Sequence, residues 1–357
     1  MASSRFSDHL TPAWPESELE SRSDCPVCGS VERIRMHETL GDRIFGAPGQ
    51  WTLWQCERCG TGWLDPRPGR ASIGHAYTEY LTHSVSEAAI RLARPGILQG
   101  VKERANHAFL NHALGYELDP TLPLPMARLI LRRKRQRQTL HRIRHLPSPG
   151  KTPARVLDIG SGNGAFLLIA RNLGYEATGL EPDPRAVSLS REHGSTVHEG
   201  SLPHPALPRE HYDHITLAHV VEHLHDPVAT LRACLALLRP GGRLWVQTPN
   251  LDGPGHRYWG RDWRGLEPPR HLVLFTPRSL RQALGEAGFR EICLLPSPIE
   301  AHEMFRHSLA IRLGVDTRVA RKPHLNRAAR RAARWADGRA LKDPEAAEAL
   351  TAIAWKP

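Results

Sequence analysis

The 357 residues carry a formal net charge of +11, 40% hydrophobic residues and six cysteines, which allows one large α/β domain with a small appendage and an ordinary core. The run of roughly 18 apolar residues that a membrane-spanning helix needs is missing, as is a signal-peptide apolar segment in Met1 to Leu10, so a soluble, cytoplasmic protein is expected. Six cysteines in so long a chain argue against a disulfide scaffold, and the positive charge gathers in residues 126–144 and 318–339, where it either meets an acidic partner or lies on solvated helices.

Taken in order, residues 1–20 are polar and aperiodic and read as a flexible lead. Residues 21–70 contain Cys25-Pro-Val-Cys28-Gly29 and, after 27 intervening residues, Cys56-Glu-Arg-Cys59-Gly60. Two such knuckles, each followed by a glycine that frees amides for the sulfurs, suit one tetrahedral structural Zn²⁺ held by Cys25, Cys28, Cys56 and Cys59. Residues 71–150 read as short basic helices ending in the linker Pro147-Ser-Pro-Gly-Lys-Thr-Pro153. Within them, Met126 to Ile143 has an apolar stripe interrupted by Arg133, Lys134 and Arg137, so its middle is solvated or faces something acidic.

Residues 151–298 alternate strands, near 154–159, 176–181, 195–198, 212–218 and 243–248, with helices near 164–173, 184–193 and 227–238. The expected fold is therefore α/β, a doubly wound Rossmann-like parallel sheet with a ligand site at the carboxyl ends of its strands. Its first strand, Ala154-Arg-Val-Leu-Asp-Ile159, enters the turn Gly160-Ser-Gly-Asn-Gly164, whose glycines let the backbone approach a ligand closely. Glu181, 21 residues after Gly160, ends the second strand where a carboxylate can accept both ribose hydroxyls. The Leu238-Arg-Pro-Gly-Gly242 segment reads as the turn into the fifth strand, and a further helix (276–287) and strand (289–295) follow. Residues 299–357 read as a basic helical extension, with Leu325, Ala328, Ala329, Ala332, Ala333 and Trp335 on one face; no further strand is visible after Leu295. The Gly/Pro-rich run 252–269, with Trp259 and Trp263, reads as a lid or acceptor wall.

The succession Val156-Leu-Asp-Ile-Gly-Ser-Gly-Asn-Gly164, Gly179-Leu-Glu-Pro-Asp183, His219-Val-Val-Glu-His-Leu224 and Leu238-Arg-Pro-Gly-Gly242 resembles the motifs of class I S-adenosylmethionine-dependent methyltransferases. The resemblance implies that Asp158 orders the glycine loop and the methionine amino group, and that Gly160, Ser161, Gly162 and Gly164 lie against the cofactor. It further implies that Glu181 and Pro182 face the ribose, that Ser201 and Leu202 face the adenine, and that Ala218, at the end of the fourth strand, also binds the cofactor. The cysteine knuckles and Leu64-Asp-Pro-Arg-Pro68 resemble zinc-ribbon methyltransferases of small-molecule pathways, including sugar C-methyltransferases. Those carry tyrosines after the ribbon, matched by Tyr77 and Tyr80, and a Glu-His pair late in the domain, where this chain has Arg270-His271. Glu222-His223 resembles the Glu-His of ubiquinone-pathway O-methyltransferases, which can hold a divalent ion; the upstream glutamate of that pattern is His219 here.

Methyl transfer to oxygen or carbon needs alignment and removal of a proton. His271, His219 and His223 are the candidate catalytic residues, with His271 favoured because its loop could reach a substrate. The expected function is thus S-adenosylmethionine-dependent O- or C-methylation of a small-molecule acceptor, such as a sugar, quinone-like compound or secondary metabolite. An acidic carrier protein or an anionic membrane surface would meet the basic helices. An RNA methyltransferase and a non-catalytic zinc-ribbon binding protein are the competing readings; nucleic acid is disfavoured, and the intact glycine turn with Asp158 and Glu181 speaks against the second.

Overall fold

Thirteen strands appear in a computed structural model that describes residues 13–77, 97–131, 133–297, 300–316 and 321–357. They are β1 (Leu19–Glu20), β2 (Arg33–Leu40), β3 (Trp51–Cys56), β4 (Gly62–Leu64), β5 (Arg67–Pro68), β6 (Arg155–Ile159), β7 (Glu176–Glu181), β8 (Thr196–Glu199), β9 (Tyr212–Ala218), β10 (Leu238–Pro249), β11 (Val273–Leu274), β12 (Arg290–Leu295) and β13 (Ala349–Trp355). Seven of them form one sheet in the order β12-β13-β10-β9-β6-β7-β8, with β6, β7, β8 and β9 parallel. The strand order reverses between β6 and β9, which marks the switch point where a doubly wound sheet takes its ligand. The expected Rossmann-like architecture is thus present.

The chain divides into two compact units. One holds residues 81–217, 233–245 and 355–357, and is built on β6 to β8 and most of β9. Val156, Leu157 and Ile159 of β6 are buried on both faces, and the helices Ala165–Asn172 and Pro184–Glu192 bury Phe166, Leu167, Ala170 and Val187 in one apolar cluster with Val197. The segment 126–143, expected as one helix, is two, Leu124–Ile130 and Arg133–Arg142, with Leu131 buried between them. This break accounts for the interrupted apolar stripe, because the two helices need not share a face.

The other unit holds residues 1–80, 218–232 and 246–354. Its four-stranded antiparallel sheet, β11-β4-β3-β2, joins the cysteine ribbon to β11 from far along the chain. The ordered ribbon begins before residue 21: Trp14 is buried, and β1 pairs with β5, Leu19 opposite Pro68. Trp259 and Trp263 are buried in one core with Trp14, Trp51, Leu53, Leu64 and Phe305. Residues 252–269 are therefore packed structure carrying the helix Pro254–Trp259, and not an open lid. The helix Arg327–Ala340 seats Ala329, Ala333 and Ala336 in the same core and turns Arg327, Arg330, Arg331 and Arg334 outward. Trp335, expected on the buried face, is 60% exposed. Tyr80, Arg318 and residues 1–12 lie outside the described residues.

The C-terminal segment is not only helical, because β13 completes the seven-stranded sheet between β12 and β10. Its bonds to β10 run antiparallel: the Gly241 N–H donates to the Lys356 carbonyl (3.1 Å) and the Lys356 N–H to the Gly242 carbonyl (2.9 Å), while at the other end the Asn250 N–H donates to the Glu348 carbonyl (3.0 Å). These bonds also draw Leu238 to Gly242 into β10, where a separate turn had been expected. Six of the seven β13 residues are buried, as in a central strand covered on both faces. Among the described residues no helix is long and apolar enough to cross a membrane.

Candidate active site and metal sites

The glycine turn after β6 is shaped by its backbone. Gly160, Gly162 and Gly164 have φ of 68°, 53° and 78°, a region costly for any residue with a Cβ, and Gly164 caps the helix Ala165–Asn172. A methyl group on Gly164 would also run into Ser190 Oγ. Gly164→Ala should therefore destabilise the protein by roughly 1–3 kcal/mol, read from the urea midpoint; an unchanged midpoint would contradict this packing.

Glu181 holds the turn. Its two carboxylate oxygens accept the Gly162 N–H (2.8 Å) and the Asp183 N–H (3.0 Å). Burial raises its pKa, although both amide bonds oppose this. Asp158, expected to order the glycine loop, is instead fully buried against the Arg144 guanidinium and the Thr216 hydroxyl, which donates to Oδ1 at 2.9 Å. Its other oxygen, Oδ2, has no partner among the described residues, and neither does the buried Ser161 Oγ on the turn itself. Two orphaned buried polar atoms beside a glycine cradle are what a bound polar ligand would satisfy. Pro182 and Ser201 are exposed, Leu202 is half-buried, and Ala218 ends β9.

His219 follows β9 in the left-handed region at φ 55°, a conformation that few non-glycine residues adopt. Its Nδ1 lies 3.1 Å from Glu222 Oε1, while Glu222 Oε2 accepts the Thr248 hydroxyl at 3.0 Å. Glu222 is completely buried, whereas the His219 side chain is 48% exposed. Burial disfavours the charged imidazole, but the bond to Glu222 and the Glu222, Glu300 and Glu267 charges outweigh it and raise the His219 pKa. The same exchange, against burial, brings Glu222 down to about 2, helped by His223 and His271.

His271 is interior and not on a reaching loop. Its Nδ1 is 2.8 Å from the Gly265 carbonyl, its ring meets His223 at 4.8 Å, and burial lowers its pKa to about 4. His223 Nδ1 lies 3.0 Å from the Arg270 carbonyl and 2.9 Å from the Tyr77 hydroxyl. Arg270, in the place where the resembling family has glutamate, is buried between Asp42 (2.9 Å) and Glu267 (2.9 Å) and rests over Phe45. Glu267 brings a carboxylate to His271: its Oε2 lies 3.7 Å from His271 Nε2. One ligand atom from each of Glu222, His223 and His271 lies within 4.8 Å of the others. Carbonyls at both Nδ1 atoms leave the two Nε2 atoms as acceptors, the second-shell pattern of metal-binding histidines.

The four cysteine sulfurs also lie within 4.8 Å of one another, with Cys25 to Cys59 and Cys28 to Cys56 both 3.5 Å apart. A tetrahedron with Zn–S near 2.3 Å has sulfurs about 3.8 Å apart, so the cluster is close to the required size. Each knuckle closes alike: the Gly29 N–H donates to the Cys25 carbonyl and the Gly60 N–H to the Cys56 carbonyl, both at 2.9 Å, with φ of 68° and 83° at the two glycines. Hydrogen bonding from Cys25, against burial, and further bonds from Thr61 lower the pKa of the Cys59 thiol, while the same bond and burial raise that of Cys25.

Of these residues, Asp158, the glycines, Glu181, the cysteines and His219 stand out in the sequence. Arg144, Thr216, Thr248 and Glu267 do not, since no motif marks a basic residue after a helix or a hydroxyl in a strand.

Residues 131–294 match a family model described as a methyltransferase domain. A ubiquinone biosynthesis O-methyltransferase of Xanthomonas oryzae pv. oryzae (strain PXO99A) is 36% identical over 104 residues, 27% of this chain and 44% of that protein. The enzyme of that name from Nitrosospira multiformis is 34% identical over 116 residues, 30% of this chain and 47% of the other. The chain thus spans less than half the length of these curated relatives. A solved SAM-dependent methyltransferase from Archaeoglobus fulgidus is 21% identical, covering 62% of this chain and 92% of its own, with a TM-score of 0.41. The stretch that matches the methyltransferase-domain model carries the parallel strands β6 to β9 of the Rossmann-like sheet.

Proposed function

We propose that the protein is an S-adenosylmethionine-dependent methyltransferase that methylates a hydroxyl oxygen of a small-molecule acceptor, with a structural Zn²⁺ in the cysteine ribbon. The observation that carries the reading is the cradle: three left-handed glycines clamped by Glu181, opposite the unpartnered oxygen of Asp158, inside a matched methyltransferase domain. Small-molecule O-methylation is supported by the curated relatives named above.

When bound, S-adenosylmethionine supplies an electrophilic methyl group on a sulfonium. Gly160 to Gly164 would hold its backbone, and Glu181 would accept the ribose hydroxyls on the lone pairs left free by its two amides. His219 would be the general base: with Nδ1–H given to Glu222, its Nε2 can take the acceptor hydroxyl proton as the oxygen gains the methyl group. Glu222 and Thr248 act through His219 as positioning residues.

A second role is open to the same cluster. Glu222, His223 and His271 offer the donor set of a divalent-ion site, which would orient acceptor oxygens and favour their ionised form. Activity that falls on dialysis against EDTA and returns with Mg²⁺ or Mn²⁺, but does not return in His223→Ala, would assign that role; activity indifferent to both ions would remove it.

The cofactor reading is tested by calorimetry with S-adenosylhomocysteine. The wild-type chain should bind it, and Gly162→Arg, which fills the cradle, should not. Absence of heat with the wild type would overturn the reading.

A further inference from the structure

The helices Pro254–Trp259, Ala301–Leu313 and Arg327–Ala340 lie around a cavity of about 380 Å³, a volume in the usual range of small-molecule sites. Its floor is Phe305, which is 1% exposed and meets the Tyr258 ring at 5.1 Å. Ala332 and Ala336, one helical turn apart, line it with nothing beyond a Cβ, so a slot is left between Tyr258 on one helix and Trp335 on another. These two rings are 40% and 60% exposed. A lone exposed aromatic is ordinary, but two that wall a cavity over a buried third leave their faces to an occupant.

The charged groups of the lining differ in what they have left to bond. Asp343 accepts the Glu345 N–H (3.0 Å), and the Glu345 carboxylate accepts from the Arg281 guanidinium (2.7 Å). Arg339 lies over the Trp335 ring, 5.2 Å from its centroid, and comes no nearer to Asp343 than 3.9 Å, too far for a hydrogen bond. Arg257 and Asp252 make no side-chain hydrogen bond or ion pair among the described residues. Two guanidinium forks thus stand without a hydrogen bond against one such carboxylate, and Arg331 and Arg334 are exposed beside Trp335 on its helix. The field at the rim favours an anion, and a free fork fits a carboxylate.

We propose that this cavity is a second small-molecule site, for a planar aromatic ring bearing a carboxylate. The ring lies between Tyr258 and Trp335 over the two alanines, and the carboxylate takes the guanidinium of Arg257. Arg339 covers one face of the Trp335 indole and steadies it. None of His219, Glu222, His223, His271 and the glycine turn lines the cavity, so its occupant is a bound ligand and not the group that is methylated. The site therefore stands or falls apart from the cofactor reading.

The test is calorimetry on the full chain with 2-naphthoate as the probe. Beside it stand 2-naphthylmethylamine, which keeps the ring and reverses the charge, and decalin-2-carboxylate, which keeps the charge and loses the flat ring. The wild type should bind 2-naphthoate with a Kd below about 1 mM, and both analogues at least about tenfold more weakly. Trp335→Ala should weaken 2-naphthoate by about tenfold or more, and Arg257→Ala by about 3- to 10-fold. Both side chains are exposed, so each variant should keep its melting temperature within about 2 °C of the wild type. Ala332→Leu, which fills the slot, should abolish binding, and excess S-adenosylhomocysteine should not displace the probe. No binding by the wild type, equal binding of the amine, an affinity unmoved by Trp335→Ala and Arg257→Ala, or displacement by S-adenosylhomocysteine would overturn the site.

Discussion

His219→Ala should lower kcat by about 10² to 10⁴, the usual contribution of a positioned general base, with a much smaller change in S-adenosylhomocysteine affinity. The pH profile gives the argument its sign. His219 acts only when neutral, so the rate should rise with pH through an apparent pKa above the ordinary imidazole value, because Glu222 stabilises the protonated ring. Glu222→Gln removes the anion and keeps the shape, so the acid limb should move to lower pH while kcat falls by about tenfold from poorer orientation. A purely structural Glu222 would lower kcat or stability without moving the limb. A profile unmoved by Glu222→Gln, or His219→Ala with near-wild-type kcat, would contradict the assignment. Thr248→Val should act in the same direction more weakly, since the Thr248 hydroxyl bonds only the far oxygen of Glu222.

Removing the proposed ribbon Zn²⁺ should have the largest effect on stability. Structural zinc in small modules contributes on the order of 10 kcal/mol or more of apparent binding free energy, and here the ribbon shares its core with much later segments. Trp51, Leu53 and Leu64 lie in one apolar cluster with Leu251, Trp259, Trp263 and Phe305, and Asp42 of the ribbon pairs with the buried Arg270 beside His271. If the cysteines hold the proposed structural ion, its loss should therefore disturb the histidine cluster as well as the knuckles and abolish activity. Metal analysis should find one zinc per chain. Cys59→Ser should lose it, lower the melting temperature by more than about 10 °C and flatten the near-ultraviolet tryptophan signal. Protein that carries no zinc, or that keeps its melting temperature after chelation, would rule out the metal role of the four cysteines.

The parallel half of the sheet is legible in the sequence because each of its strands is short, apolar and bounded by glycine or by a helix cap. Asp183, for example, accepts the Arg185 N–H at the start of the helix Pro184–Glu192. β13 is not legible. Ala349-Leu-Thr-Ala-Ile-Ala-Trp355 has no alternation, being buried on both faces, and it follows Glu345-Ala-Ala-Glu348, whose composition favours a helix. Only pairing with β10 and β12 makes it a strand. The tryptophans of 252–269 show a related limit: a stretch rich in glycine and proline looks open until its aromatic rings find a core 200 residues earlier in the chain, at Trp14 and Trp51.

The site divides in the same way. The glycine turn, Glu181 and the cysteine knuckles carry their chemistry in local spacing, so they can be read directly. Arg144 sits at the end of a run of basic residues that looks solvated, and nothing nearby distinguishes it from Arg142. Its acidic partner is Asp158, 14 residues on, a contact that depends on the left-handed turn after the helix. Glu267 shows the reverse. A glutamate four residues before His271 comes to lie beside its ring, and the backbone is left-handed at that glutamate, at φ 32°.

The central claim is that this cradle delivers a methyl group to an oxygen with His219 as base. Its most direct test is to incubate the wild type and His219→Ala with methyl-labelled S-adenosylmethionine and a panel of phenolic, catecholic and sugar hydroxyl acceptors, locating the label by mass spectrometry and NMR. The account predicts a labelled O-methyl product from at least one hydroxyl acceptor with the wild type, and about 10² to 10⁴ less with the variant. Label on carbon, label on RNA alone, or equal transfer by the two proteins would contradict it.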